Sequence, residues 1–443
     1  MGRTRNVRLE AAIQELGLPQ ARLAARFRSV AEENGASELA TTNQSSITRW
    51  ISGTRPSGRA PAILAATLSR GLGRTVTLAD IGLDAGGGDD PRPPQWSADT
   101  LTTLVDLGGT DLDMDRRRVL VNSAYSVAGL ALPSETWWKE AAERARTRTP
   151  VSVHTVTPQD VESVKEMTVF FSRRDQQRGG RGAGRAALVA YLRTEVAAYL
   201  DGRFPSEEVR RAMTSAAGEL AYLAGWTAFD AGEHPVAVAW FTVATQLAEE
   251  AQDAPLAGHV LRAMAHQAVD LHHPRHALEL AEGSMIERRY KLATPRERAL
   301  LGVVHARALA ASGQKKEALA ALTRAGTDLA AADPGIEEPA RVAFFGEASL
   351  AHESACTLRD LGDLKGAEAA FRHSVRTRAL PYARTHAVTL GYLGDVQVRQ
   401  GYLDAACTTW NQARCGAPSP RSRAVEAAPL PTLTSGPEKS SPT

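Results

Sequence analysis

The side chains best suited to chemistry in this 443-residue chain are concentrated between Thr42 and Ser57. Asn43, Gln44, Ser45, Ser46, Thr48 and Arg49 bring short hydrogen-bonding groups and a guanidinium, interleaved with Ile47, Trp50 and Ile51. Ile47 and Ile51 are four apart, so on a helix they form one packing stripe with Trp50 and leave the polar set outward. Such a face can bond base edges, while arginine reaches base acceptors or phosphate oxygens. Gln44, Ser45, Ser46 and Arg49 are the expected base readers, with Asn43 and Thr48 on the same face. Gln20, Arg55 and Arg59 are the expected phosphate contacts. Gly53 supplies a stop for the helix.

Other constellations carry less. Gly179-Gly180-Arg181-Gly182-Ala183-Gly184-Arg185 is glycine-rich like a phosphate cradle, but no Lys-Ser or Lys-Thr pair follows and no strand precedes it, so it reads as a loop between helices. His272, His273 and His276 lack a cysteine or carboxylate at ligand spacing, and no metal is expected there. Cys356, Cys407 and Cys415 are odd in number and without metal spacing, and read as small, buried, reduced residues on helices. No nucleophile with a base partner and no paired carboxylates stand out, so the chain reads as neither an enzyme nor a cofactor protein.

Charge supports the first site. Residues 1–84 hold eleven Arg and seven Asp plus Glu, a net of +4 against +2 for the whole chain. From Asn43 to Ala79 there is no acidic residue, while Arg49, Arg55, Arg59, Arg70 and Arg74 fall inside. Phosphate binding requires such a local excess. With 43% hydrophobic and 23% charged residues the composition is globular. No apolar run is long enough for a membrane span and the N-terminus lacks a secretion signal, so a cytoplasmic protein is expected. Only seven lysines stand beside forty-five arginines, a bias of GC-rich coding.

The elements that must hold the polar face are legible on both sides. Leu18-Pro19-Gln20 opens an amphipathic helix through Phe27, and a third helix runs from Ala60 to Leu72. Leu18, Gln20, Leu23, Ala24, Ile47, Trp50 and Gly53 resemble the pattern of the lambda-repressor-like (Xre) helix-turn-helix family, which implies double-stranded DNA as partner. Leu23 and Ile47 are twenty-four residues apart, further than in that family, so Ser29 to Thr41 reads as an insertion between the two helices.

The second half is periodic. Anchors at Gly232, His272, Gly313, Gly362 and Gly401 are 40, 41, 49 and 39 residues apart. Seven before each stands Gly225, Ala265, Ala306, Ala355 or Gly394; five after, Ala237, Ala277, Ala318, Ala367 or Ala406; twelve after, Ala244, Ser284, Ala325, Ser374 or Ala413. Nine after comes Phe241, Ala281, Leu322, Phe371 or Trp410. Small residues at these offsets let two antiparallel helices approach, the large one fills the gap, and the anchor makes the turn. From about Ala212 to Arg414 this resembles the tetratricopeptide family, with repeats longer than that family's usual ~34 residues. The resemblance implies a concave groove lined by Tyr222, Trp226, Arg262, His266, Arg307, His352, Arg359 and Asp395. A peptide, small molecule or protein effector would bind there, although no asparagine lies between Asn122 and Asn411 to clamp a peptide backbone.

The expected architecture is therefore all-α: a helix-turn-helix domain over 1–84, a linker over 85–98, connecting helices over 99–159, a tetratricopeptide-like α-solenoid over 160–415, and a Pro/Ser/Thr-rich disordered tail over 416–443. Asp160 to Asp201 should form a helical pair leading into the array. Leu101–Leu107 and Asp115–Leu130 should be helical, and Val151–Val156 extended. The combination resembles actinobacterial transcription regulators of differentiation and secondary metabolism, which implies homodimers and a sensing array. The alternative is an adaptor whose array binds protein and whose N-terminal domain no longer binds DNA.

Overall fold

The computed structural model describes residues 5–33, 36–72, 76, 78, 80–83, 96, 99–113, 132, 133, 135–147, 152, 154–179, 183–333, 335, 337–379 and 382–416. The fold is all-α. Among the described residues no strand forms, and the expected extended stretch before Pro158 is an isolated bridge from Thr155 to Arg203. No helix among them is long and apolar enough to cross a membrane. The helix expected over Asp115–Leu130 and most of the tail lie outside the described residues.

Four helices build the N-terminal unit: α1 (Val7–Leu16), α2 (Gln20–Glu33), α3 (Gln44–Ile51) and α4 (Ala60–Leu72). Asn6 caps α1 by accepting the Leu9 amide at 3.0 Å, and Gly17 ends it in the left-handed region at φ 65°. Leu9, Leu23, Phe27, Ile47, Leu64 and Leu68 fill a common core. Trp50 packs its ring 5.4 Å from that of Phe27. The stretch read as an insertion, Ser29 to Thr41, is helical at both of its described parts. Residues 29–33 continue α2, with Val30 and Ala31 buried beside Phe27, and Ser37–Leu39 form one 3-10 turn. Arg28 donates to the Thr42 carbonyl at 2.8 Å, which ties α2 to the entrance of α3.

Beyond residue 96 come α5 (Thr100–Leu112), α6 (Glu135–Thr147) and α7 (Pro158–Arg178). Next are α8 (Ala183–Tyr191), a π turn over Leu192–Val196, and α9 (Ala197–Leu200). Thr157 and Asp160 form a capping box at the start of α7. Five antiparallel hairpins follow. They pair α10 (Glu207–Asp230) with α11 (His234–Glu250) and α12 (Ala254–Asp270) with α13 (Pro274–Ser284). After the short α14 (Glu287–Lys291), α15 (Pro295–Ala311) pairs with α16 (Lys315–Ala330). The last pairs are α17 (Glu347–Asp360) with α18 (Leu364–Thr377) and α19 (Ala383–Arg399) with α20 (Leu403–Gly416).

All five anchors have positive φ: Gly232 75°, His272 59°, Gly313 77°, Gly362 84° and Gly401 86°. The amide after each reaches back to a carbonyl five residues earlier, as Glu233 does to Ala228 at 2.9 Å, which closes each helix with a Schellman-type turn. All fifteen small flanking positions are buried. The long spacing between the third and fourth anchors is used by residues 331–346, which bury Val342 and Phe345 in the main core. Arg341 there pairs with Glu219 of α10 and, at 2.7 Å, with Glu297 of α15.

The region before the array shares its core. Leu104 and Leu107 of α5 join the same cluster as Trp240 and Phe241. Asp111 accepts two bonds at 2.7 Å from Arg185 and one at 2.8 Å from Trp240 Nε1, all buried. Trp96, inside the expected linker, is also pinned, since its carbonyl accepts from Trp137 Nε1 and from Gln246 at 3.2 Å.

Candidate nucleic-acid interface

The helix expected between Thr42 and Ser57 is α3, bounded by an asparagine and a glycine. Asn43 is its N-cap, and its Oδ1 accepts the Ser46 amide at 3.1 Å. That bond removes Asn43 Oδ1 from base contact. At the other end Gly53 takes φ 97°, and the Thr54 amide returns to the Arg49 carbonyl at 2.9 Å. Ile47, Trp50 and Ile51 point into the core, as their spacing required.

Gln44, Ser45, Thr48 and Arg49 are exposed on the opposite side of α3. Gln20, the first residue of α2, joins them: the Thr48 hydroxyl donates to Gln20 Oε1 at 2.7 Å, with the Gln44 carbonyl also within 3.0 Å. Arg49 donates to Ser46 Oγ at 3.3 Å, which lays the guanidinium along the helix face. The α2 start and the α3 face therefore form one polar surface of amides, hydroxyls and one cation. Its chemistry suits donors and acceptors on base edges, with phosphate at the amide end of α2.

The flanking arginines divide. Arg55 donates to the Leu83 carbonyl at 2.7 Å, so its side chain fastens the end of the unit. Arg59 is half-buried immediately ahead of α4. Neither is directed by the α3 face itself.

The residues expected to line the array's groove form a chain of interhelical bonds. Arg262 donates to Tyr222 Oη at 2.9 Å, with its guanidinium 5.6 Å from the Trp226 ring. Arg307 donates to Asp270 at 2.8 Å and Glu353 at 3.3 Å and lies 3.0 Å from His266 Nδ1. His352 Nδ1 is 3.0 Å from Thr389 Oγ1, and Arg359 sits 5.1 Å from the Tyr392 ring. Tyr222, Arg262 and Arg307 are buried, at 9%, 2% and 3% exposure, so they belong to the seams between inner helices and not to an open surface. The reason is that these long side chains bond to the inner helix of the neighbouring hairpin, Arg262 to Tyr222 and Arg307 to Asp270 and Glu353. Trp226, His266, His352 and Arg359 are half-buried, and Asp395 is exposed. Burial lowers the His266 pKa and pushes that of His352 down to about 4. Burial acts to lower that of Arg307, but Asp270 and Glu353 outweigh it and hold the guanidinium charged.

Cys356 is buried on α17, whereas Cys407 is exposed on α20, against the expectation for a packed residue. The Arg185–Asp111–Trp240 node and the Arg341 cluster had no local signal, because their members lie far apart in sequence.

Residues 9–84, which take in most of α1 and all of α2 to α4, match the family model of the SP15 N-terminal domain. No curated protein matches the chain.

Proposed function

We propose that the protein is a sequence-specific transcriptional regulator that binds double-stranded DNA through α3, in the manner of a helix-turn-helix, and acts in the cytoplasm. The observation that carries this reading is the exposed face of Gln44, Ser45, Thr48 and Arg49, held on a packed helix and hydrogen-bonded to Gln20 at the start of α2. Two adjacent helix starts sharing one polar surface can place one on phosphate and the other on bases. The net +4 of residues 1–84 favours a polyanion.

One short helix makes few base contacts, so a homodimer that joins two of them is the expected binding species. The tetratricopeptide-like array would supply the dimer contact and the response to a peptide, small molecule or protein effector. No catalytic role is assigned to any residue.

The test is binding of the full chain to genomic DNA fragments across a salt series. Affinity should fall steeply with salt. Arg49→Ala should cost about 1–3 kcal/mol on the preferred fragment if the contact is bidentate. Arg59→Ala should weaken all fragments alike and reduce the salt slope by about one. Absence of salt-dependent binding by the full chain would sink the proposal.

A further inference from the structure

Three helix ends meet at one buried point of the array. Asp230 is the last residue of α10, Asp175 lies in the last turn of α7, and Arg384 is the second residue of α19. Arg384 Nη2 pairs with Asp230, and Arg384 Nη1 stands 4.0 Å from Asp175 Oδ2. The side chains of Asp175, Asp230 and Arg384 are 4%, 10% and 22% exposed. Through them the first hairpin, the fifth hairpin and the helix leading into the array are joined, and α7 packs against both α10 and α19.

The charges at this junction depend on their pairing. Carboxylates at the C-terminal ends of α7 and α10 face the negative ends of those helices, and a guanidinium in the first turn of α19 faces a positive end, so each charge is disfavoured by its own helix. One guanidinium also serves two carboxylates. Asp175 Oδ1 is buried with no hydrogen-bond partner among the described residues, a position that costs free energy whenever the carboxyl is ionised.

We propose that Arg384, Asp230 and Asp175 form a latch that closes the array on itself, and that opening it parts the first and fifth hairpins and exposes the inner face. Burial first, then the Asp230 carboxylate, pushes the Asp175 carboxyl up to about 7 against the pull of Arg384. Tyr222 of α10 also lies within reach of both carboxylates, with Arg262 of α12 bonded behind it. Asp175 therefore binds its proton more tightly closed than open. The closed form is favoured at low pH and loses that advantage as pH rises through about 7.

Hydrogen exchange on the full chain at pH 6 and pH 8, normalised to intrinsic rates, tests the latch. Peptides covering residues 172–179 and 383–390 should open about tenfold more at pH 8, as one carboxyl with a pKa near 7 requires. Asp175→Asn should remove this pH difference and protect both segments at pH 8. Arg384→Ala should open both at either pH by about 100-fold or more, the size expected for breaking a buried pair, with Arg384→Lys between it and wild type. Peptides from 303–311, in the third hairpin, should be unchanged. Wild-type exchange in Arg384→Ala, or an undiminished pH difference in Asp175→Asn, overturns the latch. Should Arg384→Ala accelerate exchange in 303–311 as well, the Asp175→Asn comparison alone decides.

Discussion

Gly225 tests whether the hairpins are set by side-chain volume at the small positions. It lies on α10 opposite Phe241 of α11, which is fully buried. A Cβ at Gly225 would stand 2.6 Å from Phe241 Cδ1, 2.7 Å from Cε1 and 3.2 Å from the Ala237 carbonyl. Carbon pairs prefer about 3.5–4.0 Å, so Phe241 or the whole of α11 must shift by roughly 1 Å. Overpacking of this kind costs about 1–3 kcal/mol, and the better helix propensity of alanine returns roughly 0.5–1 kcal/mol. The net for Gly225→Ala is a destabilisation of up to about 2.5 kcal/mol. At roughly 2–4 °C per kcal/mol, calorimetry should show Tm lower by up to about 10 °C. Gly326 supplies the control. It is helical on α16 and a Cβ there meets nothing within 4 Å, so Gly326→Ala should raise Tm. Phe241→Leu should recover part of the loss in the Gly225→Ala background and lower Tm in wild type. If Gly225→Ala raises Tm as Gly326→Ala does, the close-approach account of the repeat is refuted.

Removing Asp111 leaves Arg185 with Glu233 as its remaining carboxylate and leaves Trp240 Nε1 without its acceptor, so Asp111→Ala should cost about 1–3 kcal/mol in denaturant unfolding; no loss of stability would show the node to be dispensable. At the second hairpin turn His272 takes φ 59° with its side chain exposed, where the other four anchors are glycine. His272→Gly should relieve about 1–2 kcal/mol of left-handed strain, offset by roughly 0.5–1 kcal/mol of chain entropy, and a lowered Tm would contradict this. Half-buried His352 is held neutral, its pKa pushed down to about 4 by loss of solvent, then by Arg378 and Arg307, against the pull of Glu353. Its share of stability is complete above the unfolded value near 6.5 and is lost as pH falls from there toward 4. His352→Gln should therefore lessen the acid dependence by up to about 1.4 kcal/mol per pH unit, and an unchanged slope between pH 7 and 5 would exclude the role.

What the sequence discloses depends on how far a contact reaches along the chain. The ends of α3 are local, set by Asn43 and Gly53, and its buried side follows from Ile47, Trp50 and Ile51. The hairpins are nearly local, because each anchor and its small flanking residues lie within about one hairpin, and a left-handed turn selects glycine. Ser29 to Thr41 was legible as well, in principle: Phe27, Val30 and Ala31 continue the helical spacing, but the polar residues from Glu32 onward mask it. The inner face was only half legible. Offsets from the anchors find the side of each helix, but whether a side chain there meets solvent depends on how closely neighbouring hairpins approach, which made Arg262 and Arg307 internal. Asp111 with Arg185, and Asp230 with Arg384, are 74 and 154 residues apart, and no spacing rule relates them.

These long-range bonds also bear on how the two halves of the chain are joined. A linker of glycine and proline between 85 and 98 suggests that α1 to α4 hang free of the array, yet one described bond crosses that stretch, and Trp96 near its end is fixed to the array side. Arg70 of α4 donates to the Leu271 carbonyl at the second hairpin turn at 3.3 Å, and Trp96 is held by Trp137 and Gln246. From Trp96 the path runs through α5 and Asp111 to Arg185 and Trp240, and so to the first hairpin. A displacement of the first hairpin, such as release of Arg384 from Asp230 would permit, therefore reaches Trp96 through bonded contacts, while the contact with α4 is made separately, at the second hairpin turn.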